Sequence, residues 1–138
     1  MISKYFKIQE LVPKELFDLV HNDVLWGVFD DKLILSIDEL KKTFNSGTMY
    51  INNWFWGLGR SQSGLRTKGS THYSPTSQHS IGKAIDCVFS DYDSEDIRTF
   101  IKNNPDKFPY IRRLEGGVSW LHVDVKETGR DTIVEFYS

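Results

Sequence analysis

The feature that most constrains the fold is the segment Trp120-Leu-His-Val-Asp-Val125, in which polar and apolar residues alternate. Successive side chains of a β-strand point to opposite faces of a sheet, so the pattern predicts a strand with two different faces. Its leucine and two valines would face a hydrophobic core. Trp120, His122 and Asp124 would share the other face. The segment therefore predicts a sheet that packs on one side and carries functional polar residues on the other.

Hydrophobic periodicity along the rest of the chain predicts both helices and further strands. With 138 residues, 39% hydrophobic and 14% aromatic, the chain suits one globular domain with one core. We expect helices over about 12–20, 33–44 and 94–103, the last capped by Ser94, and strands over 48–53, 83–89, 110–115, 118–125 and 132–137. The polar stretch 61–80 reads as a long loop. The expected class is α+β, a single domain over residues 1–138 with an antiparallel sheet and flanking helices.

Charge and hydropathy argue against two classes of partner. The formal charge is −2, with 17 basic and 19 acidic residues, whereas proteins that bind nucleic acid tightly are usually strongly basic. No segment has the ~18 apolar residues of a membrane span. The N-terminal residues are too charged to form the apolar core of a signal peptide. We therefore expect a protein that is made in the cytoplasm, binds no nucleic acid and spans no membrane.

Two histidines and a carboxylate form the main candidate site. His79 precedes Asp86 by seven residues, with Gly82 between them to permit a tight turn, and His122 on the predicted strand supplies a third ligand. A catalytic zinc typically has three protein ligands and keeps a fourth position for water or substrate. Cys87 is the only cysteine, and alternation turns it toward the core. We therefore predict a zinc ion held by His79, Asp86 and His122, with Cys87 as a packing residue.

The pattern S-x-H-x-x-G-x-A-x-D over residues 77–86, followed by H-x-D at 122–124, resembles the superfamily of zinc D-Ala-D-Ala carboxypeptidases, L-alanyl-D-glutamate endopeptidases and hedgehog-like domains. Residues 63–66 also resemble its S-G-x-R element, and the likeness covers roughly half the chain. The resemblance implies a metallopeptidase that cleaves peptidoglycan stem peptides as a carboxypeptidase or an endopeptidase. It also implies that Arg66 contacts the substrate.

One departure from the family pattern bears on catalysis. Many wall peptidases of this group carry a Glu or Asp as general base three residues before the last histidine ligand, where this chain has Ser119. A serine cannot accept a proton near neutral pH. We rank Glu115 first as the base because a carboxylate at a strand end can lean over the metal. Asp124 is the second candidate, although it would equally serve to orient a ligand.

The expected mechanism follows from these residues. Zinc would polarise the scissile carbonyl and activate a water, a carboxylate would accept the proton, and Arg66 would stabilise the oxyanion or hold a substrate carboxylate. Trp120 would shape the pocket, His72 reads as a solvated loop histidine, and the aromatic run 54–56 suits a core or a cleft wall equally well.

The protein would act at the bacterial cell wall after lysis, by export or as part of a virus particle, as a bacteriophage lysis or tail enzyme does. The alternative is a zinc-stabilised binding or virion structural module without hydrolysis, which the serine at position 119 favours.

Overall fold

The strands form one sheet in the computed structural model, which describes all 138 residues. They are β1 (Met49–Tyr50), β2 (Ala84–Phe89), β3 (Arg113–Glu115), β4 (Leu121–Asp124) and β5 (Val134–Phe136). Their order in the sheet is β1-β2-β4-β3-β5. The predicted α+β class is confirmed, and β4, the strand with the alternating pattern, lies at the centre of the sheet.

The expectation of a wholly antiparallel sheet is wrong at one edge. The pairs β1–β2, β2–β4 and β3–β4 are antiparallel, but β3 and β5 run parallel. Because β4 already has a partner on each side, the chain after Asp124 can extend the sheet only at a free edge. It crosses over through residues 125–133 and adds β5 beside β3. Period-two alternation does not specify strand direction, so the sequence could not predict this pairing.

Four helices cover the sheet: α1 (Lys14–Leu19), α2 (Asn22–Val28), α3 (Asp31–Thr43) and α4 (Ser94–Asn103). The sequence predicted α1, α3 and α4 and missed α2, which has only seven residues and is capped by the His21 side chain. The expected cap at Ser94 is also wrong. Asp93 caps α4, because its carboxylate accepts a hydrogen bond from the backbone N–H of Glu95 at 2.8 Å.

One continuous hydrophobic core lies between the helices and one face of the sheet. As the alternation predicted, the core includes the leucine and both valines of the segment 120–125, and it also contains Cys87. Burial raises the pKa of the Cys87 thiol well above its ordinary value, so this cysteine is a neutral packing residue. The fully buried apolar side chains of α3, α4 and the sheet are Leu33, Ile34, Ile37, Leu40, Ile97, Ile101, Ala84, Ile85, Cys87, Leu114, Leu121 and Val123.

All five predicted strands are longer than the observed ones. The expected strand 48–53 is paired only over Met49–Tyr50, and residues 61–77 form no helix or strand. The predicted long loop is therefore confirmed up to a 3-10 turn at Gln78–Ile81. None of the helices combines the length and the apolar character that crossing a membrane requires.

Candidate metal site

Asp86 and His122 are direct neighbours across the β2–β4 pair. Facing residues of antiparallel strands hold their Cβ atoms about 4.5–5.5 Å apart on the same face of the sheet. The side chains converge further, because His122 Nδ1 lies 2.8 Å from Asp86 Oδ1. The sheet register alone thus brings together two of the three predicted ligands, which are separated by 36 residues in sequence.

His79 joins this pair from the turn that leads into β2. The 3-10 turn Gln78–Ile81 is capped by Ser77 and ends at Gly82, whose φ of 70° lies in the left-handed region. A Cβ at this glycine would collide with the carbonyl oxygen of Val28, so the position requires glycine for both conformation and space. The turn places His79 Nε2 at 3.3 Å from Asp86 Oδ1.

The three side chains fit a tetrahedral metal ion. One ligand atom from each of His79, Asp86 and His122 lies within 4.8 Å of the others. Ligand atoms at about 2.0–2.1 Å from zinc in a tetrahedron are about 3.3 Å apart, so small side-chain movements suffice. Two imidazoles and one carboxylate, with no thiolate, suit zinc and leave a fourth position open.

Each histidine is oriented by a hydrogen bond at the ring nitrogen that points away from the other two predicted ligands. His79 Nδ1 lies 3.0 Å from the carbonyl oxygen of Gly64. His122 Nε2 lies 2.8 Å from Asp124 Oδ2. The carbonyl partner of His79 Nδ1 requires a proton on that nitrogen, which leaves Nε2 turned toward Asp86. Both nitrogens of His122 face carboxylates, and Nδ1 is the one that faces the predicted ligand Asp86. Zinc-binding histidines almost always have such partners.

The carboxylates around His122 control its protonation. Burial by itself would lower the pKa of His122, but the hydrogen bonds to Asp124 and Asp86 outweigh burial and raise the pKa to about 9. Burial would raise the pKa of Asp86, but the hydrogen bonds from His122 and His79 outweigh it and hold that pKa well below its ordinary value. In the chain alone, His122 is therefore a cation at neutral pH, with a proton on Nδ1 toward Asp86 and one on Nε2 toward Asp124.

The S-G-x-R element contacts the cluster through three of its four residues. Ser63 accepts the backbone hydrogen bond from Asp86 N at 2.7 Å, and Gly64 holds His79. Arg66 Nη2 donates to Asp86 Oδ2 at 3.0 Å, and its Nε donates to the carbonyl of Gln62 at 2.8 Å. The structure therefore places Arg66 beside a predicted metal ligand, with its charge already paired to Asp86.

The two candidate bases have different surroundings. Glu115 lines the same cavity of about 370 Å³ as the three ligands. Its Oε2 accepts a hydrogen bond from Ser138 Oγ at 2.5 Å, and Oε1 has no partner on the chain. Asp124 is fully buried and is held by Arg113 through three hydrogen bonds of 2.8–3.0 Å. This arrangement favours Glu115 as a base and Asp124 as the residue that orients His122.

The remaining sequence expectations have mixed outcomes. Trp120 lines the cavity over the ligands, as expected. His72 is exposed, as predicted, but it also borders this cavity. The aromatic run 54–56 lines neither this cavity nor the larger one beside it, and Trp54 packs against Phe17 instead. Ser119 is exposed on the β3–β4 connection.

Sequence reasoning missed two arginines that support the site. Arg113 holds Asp124, and its guanidinium stacks on Phe136 at 4.3 Å from the ring centroid. Arg98 is only 3% exposed, and it donates hydrogen bonds to the carbonyls of Val118 at 2.9 Å and Trp120 at 2.6 Å. It thereby fixes the connection between β3 and β4. The sequence does contain a signal for Arg98. It lies next to Ile97 and about one turn before Ile101, on the apolar face of α4 that is expected to be buried.

The chain matches no protein-family model, and comparisons with curated proteins and with solved structures also gave no match.

Proposed function

We propose that this chain is a zinc-dependent peptidase that cleaves peptidoglycan stem peptides, as do the D-Ala-D-Ala carboxypeptidases and L-alanyl-D-glutamate endopeptidases that its motifs resemble. The observation that carries the proposal is the orientation of the two histidines. Gly64 and Asp124 hold the far nitrogen of each imidazole, so that His79 Nε2, His122 Nδ1 and Asp86 Oδ1 converge beside an open cavity. A purely structural histidine pair does not require this arrangement.

The chemistry divides between the ion and the protein. A zinc ion held by these residues would polarise a substrate carbonyl and lower the pKa of a bound water to about 7. Glu115 is the proposed general base, because it lines the same cavity and its Oε1 has no hydrogen-bond partner on the chain. Its other oxygen is held by Ser138, which fixes the carboxylate at the cavity wall.

Two further residues act through the ligands. Asp124 keeps the proton of His122 on Nε2, so that Nδ1 remains the metal-facing atom. Arg66 is paired with Asp86 Oδ2 and therefore orients that carboxylate, while Oδ1 stays turned toward the histidines. In this proposal the enzyme acts at the bacterial wall, as a bacteriophage lysis or tail protein does.

The second candidate function is a zinc-stabilised binding or virion structural module. The specific observation in its favour is at the expected base position, where Ser119 is exposed and carries no carboxylate.

The test measures zinc content and peptide release from purified peptidoglycan for the wild-type chain, Glu115→Gln and Glu15→Gln. Glu15 is an exposed helix residue, so its amide controls for loss of one carboxylate. We expect one zinc per chain in all three proteins. Release should fall by roughly 100-fold or more in Glu115→Gln, since a general base contributes 10²–10⁴-fold.

The outcomes separate the two functions. One zinc per chain without release from any type of wall would favour the binding module. Full activity in Glu115→Gln would remove Glu115 as the base. A wild-type chain that binds no zinc at all would contradict both candidates.

A further inference from the structure

A second and larger cavity continues from the metal site along the loop 59–72. It measures about 610 Å³ and shares Arg66, His72, Asp86 and Trp120 with the cavity over the ligands. Its other walls come from residues 59–63 and 69–71, and Trp120 is the only hydrophobic side chain in its lining. A substrate whose scissile bond lies at the ligands would therefore extend along this cavity.

On the wall of this cavity, the negative charge is paired within the chain and one positive charge is not. Asp86 is its only carboxylate, and both oxygens are engaged, Oδ1 by the two histidines and Oδ2 by Arg66. Arg60 makes no ion pair, and the one hydrogen bond of its side chain is a long one from Nη1 to Ser63 Oγ at 3.4 Å. The half-buried Arg60 thus supplies the only permanent charge that no group on the cavity wall balances.

The backbone holds Arg60 in place before any ligand binds. Its N–H donates to the side-chain Oδ1 of Asn53 at 2.7 Å. Its carbonyl oxygen accepts from Asn53 N at 2.9 Å and from Trp54 N at 3.1 Å. A guanidinium on a fixed backbone can bind an anion without the cost of ordering a loop. It also matches the planar, two-oxygen geometry of a carboxylate.

We propose that this cavity is a carboxylate-binding subsite, in which Arg60 pairs with a carboxylate of the peptide substrate. The inference rests on the proposed peptidase function and specifies its substrate. The charge of Arg66 is already paired with Asp86, whereas the charge of Arg60 has no carboxylate partner on the chain. The bound group is either the C-terminal carboxylate of the peptide or the side-chain carboxylate of an acidic residue, since both present the same two oxygens.

The test uses three versions of one stem pentapeptide, L-Ala-γ-D-Glu-L-Lys-D-Ala-D-Ala. The first is the free acid, the second carries a C-terminal amide, and the third has the free carboxylate of its glutamate residue converted to an amide. Dissociation constants are measured by calorimetry for the wild-type chain and for Arg60→Gln, with cleavage of the free acid followed separately. Arg130→Gln is the matched control, because it removes an exposed positive charge that borders neither cavity of the site.

We expect the wild-type chain to bind the free acid roughly 10- to 100-fold more tightly than one of the two amides. That amide lacks the carboxylate that would form a charged, hydrogen-bonded pair with Arg60. The amide that loses affinity identifies which carboxylate is bound. Arg60→Gln should abolish this preference, and Arg130→Gln should retain it. Because the Arg60 side chain makes one long hydrogen bond, the thermal unfolding of Arg60→Gln should match that of the wild type.

The two proposals fail in different ways. Equal affinity for all three peptides, an unchanged preference in Arg60→Gln, or no binding of any peptide overturns the subsite. Release of peptides from purified peptidoglycan by the wild-type chain under those results would still support the peptidase. A preference for the acid that depends on Arg60, in a chain that cleaves nothing, would keep the subsite and overturn the peptidase.

Discussion

The two faces of the β2–β4 pair differ in their side chains: one face is apolar and packs in the core, and the other is polar and carries the candidate site. On one face, Ile85, Cys87, Leu121 and Val123 are fully buried in the hydrophobic core. On the other, polar atoms of residues from both strands form a network of defined hydrogen bonds around the cluster. Apolar burial depends on area and not on direction, whereas the polar network depends on particular atom pairs. Substitutions on the first face should therefore change stability, and those on the second should change metal binding.

The largest effect is expected from removal of a ligand. His79→Ala should weaken zinc binding by roughly 1,000-fold, or about 4 kcal/mol, because two protein ligands hold the ion poorly. Zinc titration against a competing chelator measures the change. His72→Ala is the matched control, since His72 is exposed and borders the same cavity. Wild-type affinity in His79→Ala would contradict the assigned cluster.

A substitution on the apolar face should lower stability and leave zinc binding unchanged. Leu121 is fully buried, so Leu121→Ala should lower the free energy of unfolding by about 2–5 kcal/mol. Urea denaturation measures this change, and the folded variant should still bind one zinc. Leu58→Ala is the control, because Leu58 is 56% exposed and its loss should change stability by less than about 0.5 kcal/mol. Loss of zinc from folded Leu121→Ala would show that the two faces are not independent.

The same contrast explains what the sequence could predict. Alternation identified the core face of β4, and the spacing of His79, Asp86 and His122 identified the side chains that the structure brings together. The alternation is a local pattern, and so is the motif that places His79 and Asp86 on either side of the turn at Gly82. His122 lies 36 residues from Asp86 and joins them because β2 and β4 pair. The sequence also indicated Glu115 and Asp124, but it could not separate their surroundings.

What the sequence did not reveal depends on partners that are distant along the chain. Arg113 holds Asp124 from a neighbouring strand, and Arg98 reaches the β3–β4 connection from α4, 17 to 22 residues away. The parallel pairing of β5 likewise depends on which sheet edge is free. Charged residues such as these are expected at the surface, and only their burial in the fold shows that they serve the site.

The substitution Asp124→Asn tests a residue of the polar face that is not a predicted ligand itself but is hydrogen-bonded to one, His122. Asp124→Asn should weaken zinc binding by about 10- to 100-fold, since the partners of metal-binding histidines contribute effects of this size. It should also lower the pKa of His122, because the hydrogen bond to Asp124 is the largest influence that raises it. Chelator competition measures the affinity, and NMR titration of the zinc-free chain measures the pKa.

Asp38→Asn is the control for this variant. Asp38 is a buried carboxylate elsewhere in the chain, where it accepts hydrogen bonds from Ser3 and from the backbone of Lys4. Both variants should lose stability, but only Asp124→Asn should lose zinc affinity. An equal effect of the two on zinc would mean that affinity merely follows global stability.

The smallest effect is the dependence of zinc binding on pH, which distinguishes the charged network from the neutral core. The pKa of His122 is raised from 6.5 to about 9 in the folded chain, so its proton stabilises the zinc-free fold below about pH 6.5, and this contribution is lost as the pH rises through 9. The carboxylates of Asp86 and Asp124 have lowered pKa values, so their contribution is present above 3.8 and is lost as the pH falls.

Zinc must displace the proton from His122 Nδ1, so its affinity should rise with pH by up to about tenfold per unit until about pH 9 and then level off. Calorimetry at pH 7.5 in buffers of different ionisation enthalpy should show about one proton released from His122 per zinc bound, and up to one more from a zinc-bound water. Leu121→Ala should release the same number, because the apolar face carries no titrating group near neutral pH, and Asp124→Asn should release fewer. Zinc binding with no proton release at this pH would mean that His122 is already neutral, and that the two carboxylates do not hold it as a cation.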